Sequence, residues 1–406
     1  MADTRARVVV TGMGAATAAG IGVDALWSAA RDGRTGVGEV KLSRNGPNRI
    51  KIAAQVPDFV PEQYIEPSRL LFCDRFAQLA IAAADEALKS AGLSREEKLG
   101  ARTAVILGTG VGGITTVDDL LYGEYVQHTR TSPFIVPRTM SSSAVSQISM
   151  LYGCTGPTFA VTSACASASQ AIGLAATMIR SGAIDRAIVG GSESSMTPMN
   201  IRVWELLRVL APGVCRPFSK NRDGMVMGEG AAILVIESEQ SAARRQAMPL
   251  AEIAGYGTTS DAFDIVRPDP AGAAGAMAEA IEDAGLLPDD IDYVNAHGTG
   301  TVANDIAEAE ALRRVFGERY SDLAVSSTKP IHGHTLGAAG AIELVVTIMA
   351  MRANTAPPTI NWLEADPKCG LDPVANVARD VPIQAAMSNS FAFGGINACL
   401  VVVPPR

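Results

Sequence analysis

One cysteine lies where the sequence predicts a change from strand to helix. Residues 159–182 read FAVTSACASASQAIGLAATMIRSG, and the apolar run 159–162 gives way to small residues around Cys165. The residues that follow are typical of a helix that ends near Arg180 and Gly182. A helix N-terminus favours a thiolate, because its free N–H groups and macrodipole stabilise negative charge. We therefore expect Cys165 to be a nucleophile, with a buried structural cysteine as the alternative.

Three of the four histidines lie in two motifs of the second half of the chain. His297 begins HGTGT (297–301), and His334 lies in STKPIHGHTLGAAG (327–340). A cysteine beside two imidazoles suits acyl transfer through a thioester, and neutral imidazoles can donate N–H bonds to an enolate oxygen. We expect His334 to open a helix at the position that corresponds to Cys165, so that two helix N-termini face one cleft. A helix N-terminus there would keep the imidazole neutral.

Charged residues near these motifs extend the candidate site. Lys329 lies close to the predicted helix start, and Glu343 falls on an apolar helix, where an unpaired carboxylate would be costly. We therefore predict a buried ion pair between Lys329 and Glu343. His332 and His334 could form a metal pair, but no third ligand has suitable spacing, whereas His128 lies in a polar segment typical of a surface.

The segment SNSFAFGGIN (388–397) places two phenylalanines directly before a pair of glycines. A backbone N–H in this turn could form an oxyanion hole together with the N–H of Cys165. A core strand with a bulge accounts for the same pattern equally well, so the residues alone leave both interpretations open.

The elements that must position these residues occur twice in the same order. Strand-like runs alternate with helical patterns in each half, so the sheets should be largely parallel and covered by helices. The helix end EALKSAG (86–92) recurs as EAIEDAG (279–285). We predict a duplicated α/β fold in which residues 1–254 carry the cysteine and residues 255–406 carry the two histidines. Chance similarity between two α/β halves is the alternative.

Composition argues against several classes of protein. The chain of 406 residues has a net charge of −8, which disfavours binding to nucleic acid. Its six cysteines form no CxxC pair, which argues against a zinc site or disulfide framework and favours a reducing cytoplasm. We expect neither a signal peptide nor a membrane span, because the apolar stretch 341–351 is short and contains Glu343. The glycines of Gly12-Met13-Gly14 resemble a dinucleotide fingerprint, but the third glycine is missing.

Taken together, these motifs resemble the β-ketoacyl-acyl carrier protein synthases of the thiolase-like condensing enzymes, and most closely the elongating synthase II type. The resemblance runs from VVVTGMG (8–14) to SNSFAFGGINA (388–398). It implies a duplicated, five-layered αβαβα fold whose halves are related by a pseudo-twofold axis and contain mixed, largely parallel sheets. It also implies that malonyl-acyl carrier protein loses CO2 and condenses with an acyl group on Cys165, which extends a fatty-acid chain without a metal or redox cofactor.

The resemblance implies a role for each residue that matches a family motif. Cys165 resembles the acylated nucleophile. His297 and His334 resemble the pair that supports decarboxylation and stabilises the enolate, and Lys329 and Glu343 match their supporting pair. The other matches are the second oxyanion N–H and gate (Phe393, with Phe391 beside it), the threonines that bind the pantetheine arm (Thr299, Thr301), the acyl pocket (Val111, Ile135) and the carrier-docking surface (Arg216).

Several residues depart from the family pattern, and the residues after the cysteine, ASAS (166–169), lack the glycine that is common in housekeeping synthases. Ala392 replaces the glycine that is usual between the two phenylalanines, and Ile396 replaces a threonine. Alanine restricts the backbone relative to glycine, so we expect a different gate motion or pocket shape. Ile135 stands where phenylalanine is frequent, in a segment that reaches the partner's pocket in the family dimer. Its smaller side chain could leave room for a longer or differently shaped acyl chain.

The pathway and the assembly remain open at this point. We expect a cytoplasmic homodimer that elongates fatty acids on acyl carrier protein. The alternative is a dedicated ketosynthase for a nodulation-factor-type acyl chain or a reducing type II polyketide, working with a homologous partner subunit. A degradative thiolase would need a second catalytic cysteine in the final glycine motif, where the sequence has Phe393. The presence of Cys165, His297, His334 and Lys329 together argues against a non-catalytic scaffold.

Overall fold

The computed structural model describes residues 6–406, so the first five residues of the expected N-terminal half lie outside the described part. The strands are β1 (Val8–Thr17), β2 (Gly20–Ile21), β3 (Gly38–Glu39), β4 (Ile52–Ala53), β5 (Thr103–Gly108), β6 (Thr158–Val161), β7 (Arg186–Glu193), β8 (Gly230–Ser238), β9 (Ala251–Ser260), β10 (Tyr293–Asn295), β11 (Ala324–Ser326), β12 (Thr355–Ala356), β13 (Arg379–Asp380), β14 (Ala386–Ala392) and β15 (Ile396–Val403). The α-helices are α1 (Val23–Asp32), α2 (Pro67–Leu70), α3 (Arg75–Ser90), α4 (Ile114–Tyr122), α5 (Ile135–Thr139), α6 (Ser143–Tyr152), α7 (Ser167–Arg180), α8 (Pro198–Leu206), α9 (Glu239–Arg244), α10 (Pro270–Asp283), α11 (Val302–Phe316), α12 (Lys329–His332) and α13 (Ala339–Ala353).

One eleven-stranded sheet runs through the molecule in the order β11-β10-β14-β15-β9-β1-β8-β7-β5-β6, with β2 paired to β1 off this path. When the five main strands of each half are numbered along the chain, both halves have the order 3-2-4-5-1, and the two first strands meet. In both halves the second strand pairs in parallel with the third and fourth, and the fifth pairs antiparallel with the fourth and first. The sheet is therefore mixed, and the predicted duplication is confirmed.

Paired glycines in the first strand of each half allow a helix to lie directly on the sheet. A Cβ atom at Gly12 or Gly14 would lie 2.1 Å from a carbonyl oxygen of α3, and one at Gly255 or Gly257 would lie 2.0 or 2.1 Å from a carbonyl oxygen of α10. The glycines that resemble a dinucleotide fingerprint therefore serve helix packing. They lie inside β1, which continues to Thr17.

Two glutamates at equivalent places fasten these helices to the sheet. Glu86 of α3 accepts a hydrogen bond from the N–H of Ala15 (2.9 Å), and Glu279 of α10 accepts one from the N–H of Thr258 (3.2 Å). Both glutamates open the motifs that repeat in the sequence. The sequence repeat therefore reflects a repeated contact between a helix and the first strand.

Three apolar cores hold together five layers, which are three layers of helices and the two halves of the sheet between them. Helices α3 and α6 cover one outer face, α10 and α11 cover the other, and α7 and α13 pack between the two halves of the sheet. This is the expected αβαβα order. Within the described chain, Leu336–Ala353 is long and apolar enough to cross a membrane, but 83% of it is buried inside the protein as a central core helix.

The sequence pattern indicates neither β9 nor α11. The buried side of α11 carries Asp305 and Glu308, which interrupt the apolar face by which a helix is recognised. The expected division between residues 254 and 255 falls within β9. Because β9 is the first strand of the second repeat, we propose that the second half begins with this strand.

Candidate active site

Cys165 lies in the 3-10 turn Ala164–Ala166, between β6 and the start of α7, as the sequence predicts. Ala164 has a φ of 48°, so the chain bends sharply immediately before the cysteine. Burial raises the pKa of the Cys165 thiol to about 12, although the ammonium of Lys329 acts in the opposite direction. Burial thus opposes the thiolate that the sequence analysis expected a helix N-terminus to stabilise. The thiol must give its proton to a base before it can attack.

That base is within reach. Nε2 of His334 lies 3.1 Å from Sγ of Cys165, and both side chains are buried. His334 does not open a helix, however, because a turn at Leu336–Ala338 still separates it from α13. The N–H of His334 instead donates to the carbonyl oxygen of Val226, 2.7 Å away.

The position that corresponds to Cys165 in the second half is Gly337. Ala164 and Leu336, with φ values of 48° and 46°, are the first residues of two equivalent 3-10 turns. Cys165 follows Ala164, and Gly337 follows Leu336. The prediction that His334 corresponds to Cys165 is therefore wrong by three residues. The left-handed turn explains the error, because an alanine or a leucine in the sequence does not predict a residue with positive φ.

His297 follows β10 and lies beside His334, with 5.3 Å between the ring centroids. Nζ of Lys329 lies 3.4 Å from Nδ1 of His297. An ammonium can only donate, so Nδ1 of His297 accepts and the ring hydrogen lies on Nε2. Lys329 thereby sets the tautomer in which Nε2–H can donate to a substrate oxygen.

Both catalytic candidates among the histidines are neutral. Burial lowers the pKa of His297 and of His334 well below the usual value, and the ammonium of Lys329 lowers both further. The expected neutrality is present, but its main cause is burial and not a helix N-terminus.

The predicted ion pair between Lys329 and Glu343 is present. Their side chains are 1% and 0% exposed, and Nζ of Lys329 donates to Oε1 of Glu343. Burial raises the pKa of Glu343 to about 7, against the effect of the ammonium. The pair lies behind His297 and fixes the ammonium that contacts Nδ1.

Seven predicted residues line one cavity of about 290 Å³: Cys165, His297, Thr299, Thr301, His334, Phe391 and Phe393. The hydroxyl oxygens of Thr299 and Thr301 lie 2.8 Å apart on one wall. Phe391 is buried with its ring centroid 6.0 Å from that of His297. The cavity therefore brings a thiol, two neutral imidazoles and two hydroxyls to one space.

The turn between β14 and β15 holds Phe393. Ala392 and Ile396 pair across this turn in regular register, so the bulge considered from the sequence is absent. The left-handed conformations fall on Gly394 and Gly395, with φ values of 88° and 69°, while Ala392 has ordinary strand geometry. Ala392 therefore causes no backbone strain in this conformation.

The structure adds Trp204 to the turn that carries Phe393. The two rings stack with centroids 5.8 Å apart, and both line the cavity. The N–H of Gly394 also donates to the carbonyl oxygen of Ile265 (2.8 Å). The turn is thus held on two sides, and the sequence pattern gave no sign of the tryptophan.

Five predicted residues lie outside the lining of this cavity, and two of them are the buried pair Lys329 and Glu343. Of the others, Val111 is 42% exposed, and Ile135 is half-buried in α5. Arg216 lies 3.8 Å from Asp223, which does line the cavity. The roles of these residues remain proposals.

A buried glutamate that sequence reasoning missed joins the two halves behind Cys165. Oε2 of Glu193 accepts hydrogen bonds from the N–H of Gly110 (2.5 Å) and of Gly337 (3.0 Å). Its other oxygen accepts from Oγ1 of Thr109 (3.2 Å). Burial raises the pKa of Glu193 to about 7. The signal in the sequence is an acid at the end of an apolar strand.

A second missed glutamate holds the turn after β10. Glu308 accepts hydrogen bonds from the N–H of His297 (2.8 Å) and of Gly298 (2.7 Å), and from the side-chain amide of Asn389 (3.2 Å). Burial raises the pKa of Glu308 to about 7. This carboxylate positions His297 through its backbone.

The metal pair considered for His332 and His334 is wrong. Both ring nitrogens of His332 have partners, Oγ1 of Thr328 at 3.0 Å and the carbonyl oxygen of Gly333 at 2.8 Å. His332 is therefore a structural residue. His128 is exposed, as predicted.

One group of ligand atoms at the site is close enough together to hold a metal ion. The ligand atoms of Cys165, His297 and His334 lie within 4.8 Å of one another.

This chain matches two family models and, over nearly its whole length, several known proteins. Residues 5–242 match the family model of the β-ketoacyl synthase N-terminal domain, and residues 250–363 match that of the C-terminal domain. Nodulation protein E of Rhizobium sp. (strain N33) is 42% identical, with 97% of this chain and 98% of the relative covered. 3-oxoacyl-[acyl-carrier-protein] synthase 2 of Staphylococcus aureus (strain COL) is 42% identical, with 97% of each chain covered. The structure of the ishigamide ketosynthase/chain length factor has a TM-score of 0.95 at 33% identity, with 99% of this chain and 100% of that chain covered.

Proposed function

This chain belongs to the β-ketoacyl synthase family, and on that basis we propose that it condenses an acyl group with malonyl-acyl carrier protein. The acyl group is held as a thioester on Cys165. The products are a 3-oxoacyl-acyl carrier protein two carbons longer, CO2 and free carrier protein. The observation that carries the proposal is the contact between Sγ of Cys165 and Nε2 of His334 at 3.1 Å, inside a cavity shared with His297.

The first step loads the acyl group. His334 takes the proton of the Cys165 thiol at Nε2 as the sulfur attacks the carbonyl carbon of the incoming thioester. The carbon–sulfur bond to the carrier arm breaks, and the imidazolium returns the proton to the departing arm thiolate. The N–H groups of Cys165 and Phe393 form the oxyanion hole in this proposal.

The second step makes the new carbon–carbon bond. Malonyl-carrier protein enters, its carboxylate leaves as CO2, and the electron pair forms an enolate at the thioester. Nε2–H of His297 donates to the enolate oxygen, because the ammonium of Lys329 holds Nδ1 as an acceptor. The enolate carbon attacks the carbonyl carbon of the acyl-cysteine, the carbon–sulfur bond to Cys165 breaks, and the thiolate takes up a proton from solvent through His334.

Intact-mass spectrometry tests this proposal. The protein is incubated with acyl carrier proteins whose acyl chains run from short to long and from saturated to polyenoic, and malonyl-carrier protein is added afterwards. We expect a mass increase that equals one acyl group, is absent in Cys165→Ala and is discharged as a 3-oxoacyl product. No acylation by any chain, or acylation that survives in Cys165→Ala, would contradict the proposal.

A second candidate pathway has support from the relatives. Nodulation protein E and 3-oxoacyl-[acyl-carrier-protein] synthase 2 are both 42% identical to this chain over nearly its full length. A dedicated ketosynthase is therefore the alternative to a synthase of general fatty-acid elongation. The acyl panel separates them, since preference for saturated chains indicates general elongation and preference for polyenoic chains indicates a dedicated pathway.

We propose acyl carrier protein as the partner, Arg216 as part of its docking surface, and a cytoplasmic location. We also propose that the chain forms a homodimer, in which Val111 and Ile135 line the acyl pocket. The chain length factor named with one structural neighbour supports a heterodimer with a homologous subunit as the alternative.

A further inference from the structure

The cavity that holds Cys165 has a buried end and an exposed end. Cys165 is 7% exposed, and His297 and His334 are 2% exposed each. At the other end Val302 is 56% exposed, so the cavity opens to solvent there. A substrate arm must therefore pass this rim to bring its thioester to the sulfur.

Arg208 is the one lysine or arginine among the residues that line this cavity in the described chain. It is exposed and follows Leu207 at the end of α8. Its N–H donates to the carbonyl oxygen of Glu205 (2.9 Å). Its φ is 58°, a left-handed conformation that glycine adopts more readily than a residue with a side chain.

The guanidinium of Arg208 makes no hydrogen bond or ion pair with residues 6–406. The charges of its neighbours are compensated within the protein. Arg202 pairs with Glu205 (2.9 Å), Arg216 lies 3.8 Å from Asp223, and the buried Arg222 pairs with Asp366 (2.5 Å). Among the described residues that line the cavity, Arg208 is thus the one cation without a protein partner.

We propose that Arg208 binds the phosphodiester of the phosphopantetheine arm. This inference rests on the proposed function, because it takes carrier-bound thioesters as the substrates. The arm has an apolar and amide portion that fits the cavity beside Thr299 and Thr301, and one phosphate near the carrier protein. When the thioester reaches the buried Cys165, the phosphate remains at the rim. A guanidinium is suited to that group, because its N–H fork matches two phosphate oxygens.

A binding comparison that needs no turnover tests the inference. Free 4′-phosphopantetheine and pantetheine are titrated against the wild type and Arg208→Ala by ligand-observed NMR. We expect the wild type to bind phosphopantetheine about tenfold more tightly than pantetheine, which is the scale of one charge-assisted contact. Arg208→Ala should bind the two ligands equally. Arg208 is exposed, so the variant is expected to fold.

Arg267→Ala is the matched control, because Arg267 is 71% exposed, pairs with Asp264 and does not line the cavity. It should keep the preference for phosphopantetheine. The inference is overturned if the wild type does not prefer phosphopantetheine, if Arg208→Ala keeps that preference, or if Arg267→Ala loses it to the same extent.

Cys165 acylation keeps this test separate from the test of function. Acyl-pantetheine, which lacks the phosphate, should acylate wild type and Arg208→Ala at equal rates, whereas acyl-carrier protein should acylate Arg208→Ala more slowly. If the wild type is acylated but Arg208→Ala shows equal losses with both substrates, the inference fails and the proposed function stands. If the wild type is not acylated by either substrate, the proposed function fails, and the NMR comparison still decides on the phosphate site.

Discussion

The ammonium of Lys329 contacts a carboxylate and an imidazole at once. It donates to Oε1 of Glu343 and lies 3.4 Å from Nδ1 of His297. The ion-pair partner was predictable, because an acid on an apolar helix requires one. The contact with the imidazole was not, because it depends on the path of the turn after β10. The sequence motifs thus predicted which residues form the site, whereas the charge states of these residues depend on their burial in the folded protein.

Replacement of Lys329 by alanine should damage stability and one half-reaction. Removing one partner of a buried ion pair costs about 3–5 kcal/mol, which denaturant unfolding can measure. Decarboxylation of malonyl-carrier protein should fall, because Nδ1 of His297 loses the donor that holds the tautomer. Acylation of Cys165 should persist, because Nε2 of His334 remains in contact with Sγ.

The double variant Lys329→Met, Glu343→Leu separates the two effects. It removes both buried charges, so we expect much of the free energy of unfolding to return. Decarboxylation should stay low, since no ammonium contacts His297. Recovery of decarboxylation together with stability would contradict the role given to Lys329.

At the scale of elements, Glu193 at the end of β7 ties together turns from both halves. It accepts from the N–H of Gly110 and from the N–H of Gly337, more than 200 residues apart in the chain. No local pattern reveals such a contact. The sequence indicated the repeated strands and helices but missed α11, because its buried acids accept hydrogen bonds from the turn at 297–300 and from Phe218 and so interrupt the apolar face.

Glu193→Gln should make the stability of the protein less dependent on pH. Burial raises the pKa of Glu193 to about 7 in the folded protein. Between the unfolded value and about 7 the folded protein therefore holds this proton more tightly than the unfolded chain. The stability that this proton contributes is present at low pH and is lost as the pH rises towards 7. Glutamine does not titrate, so the free energy of unfolding of wild type minus that of Glu193→Gln should fall between pH 5 and about 7.

Catalysis provides a second measurement for Glu193. Glutamine has one oxygen in place of two, so an N–H of Gly110, Val111 or Gly337 loses its acceptor. We expect a lower kcat with little change in KM, because the turn beside His334 loosens while the substrate-binding rim is untouched. Thr109→Val is the control, since it removes the hydroxyl contact to Glu193 but keeps the carboxylate. A pH dependence identical in wild type and Glu193→Gln would contradict the argument.

At the scale of the whole molecule, the two ends of the sheet differ. The outer edge of β11 is covered, because the N–H of Val374 donates to the carbonyl oxygen of Val325 (2.8 Å). At the other end β6 pairs with β5 alone among the described strands. The segment that precedes β6 in the chain, 114–152, also exposes apolar side chains, including Tyr125 (74%) and Val136 (67%). An open edge and an apolar surface together favour association with a second subunit.

Val136→Lys should therefore convert a dimer of this chain into a monomer. A lysine placed in an apolar interface must lose its hydration, which opposes association, while its exposure in the single chain leaves folding unaffected. Light scattering after size-exclusion chromatography measures the mass, and Met248→Lys is the control, because Met248 is also exposed (81%) and lies in the connection between α9 and β9. A wild type that is monomeric alone and dimeric only with a homologous subunit would establish the heterodimer instead. In either assembly we expect Ile135→Phe to change the acyl-chain preference, because we propose that residue 135 lines the acyl pocket of the neighbouring subunit.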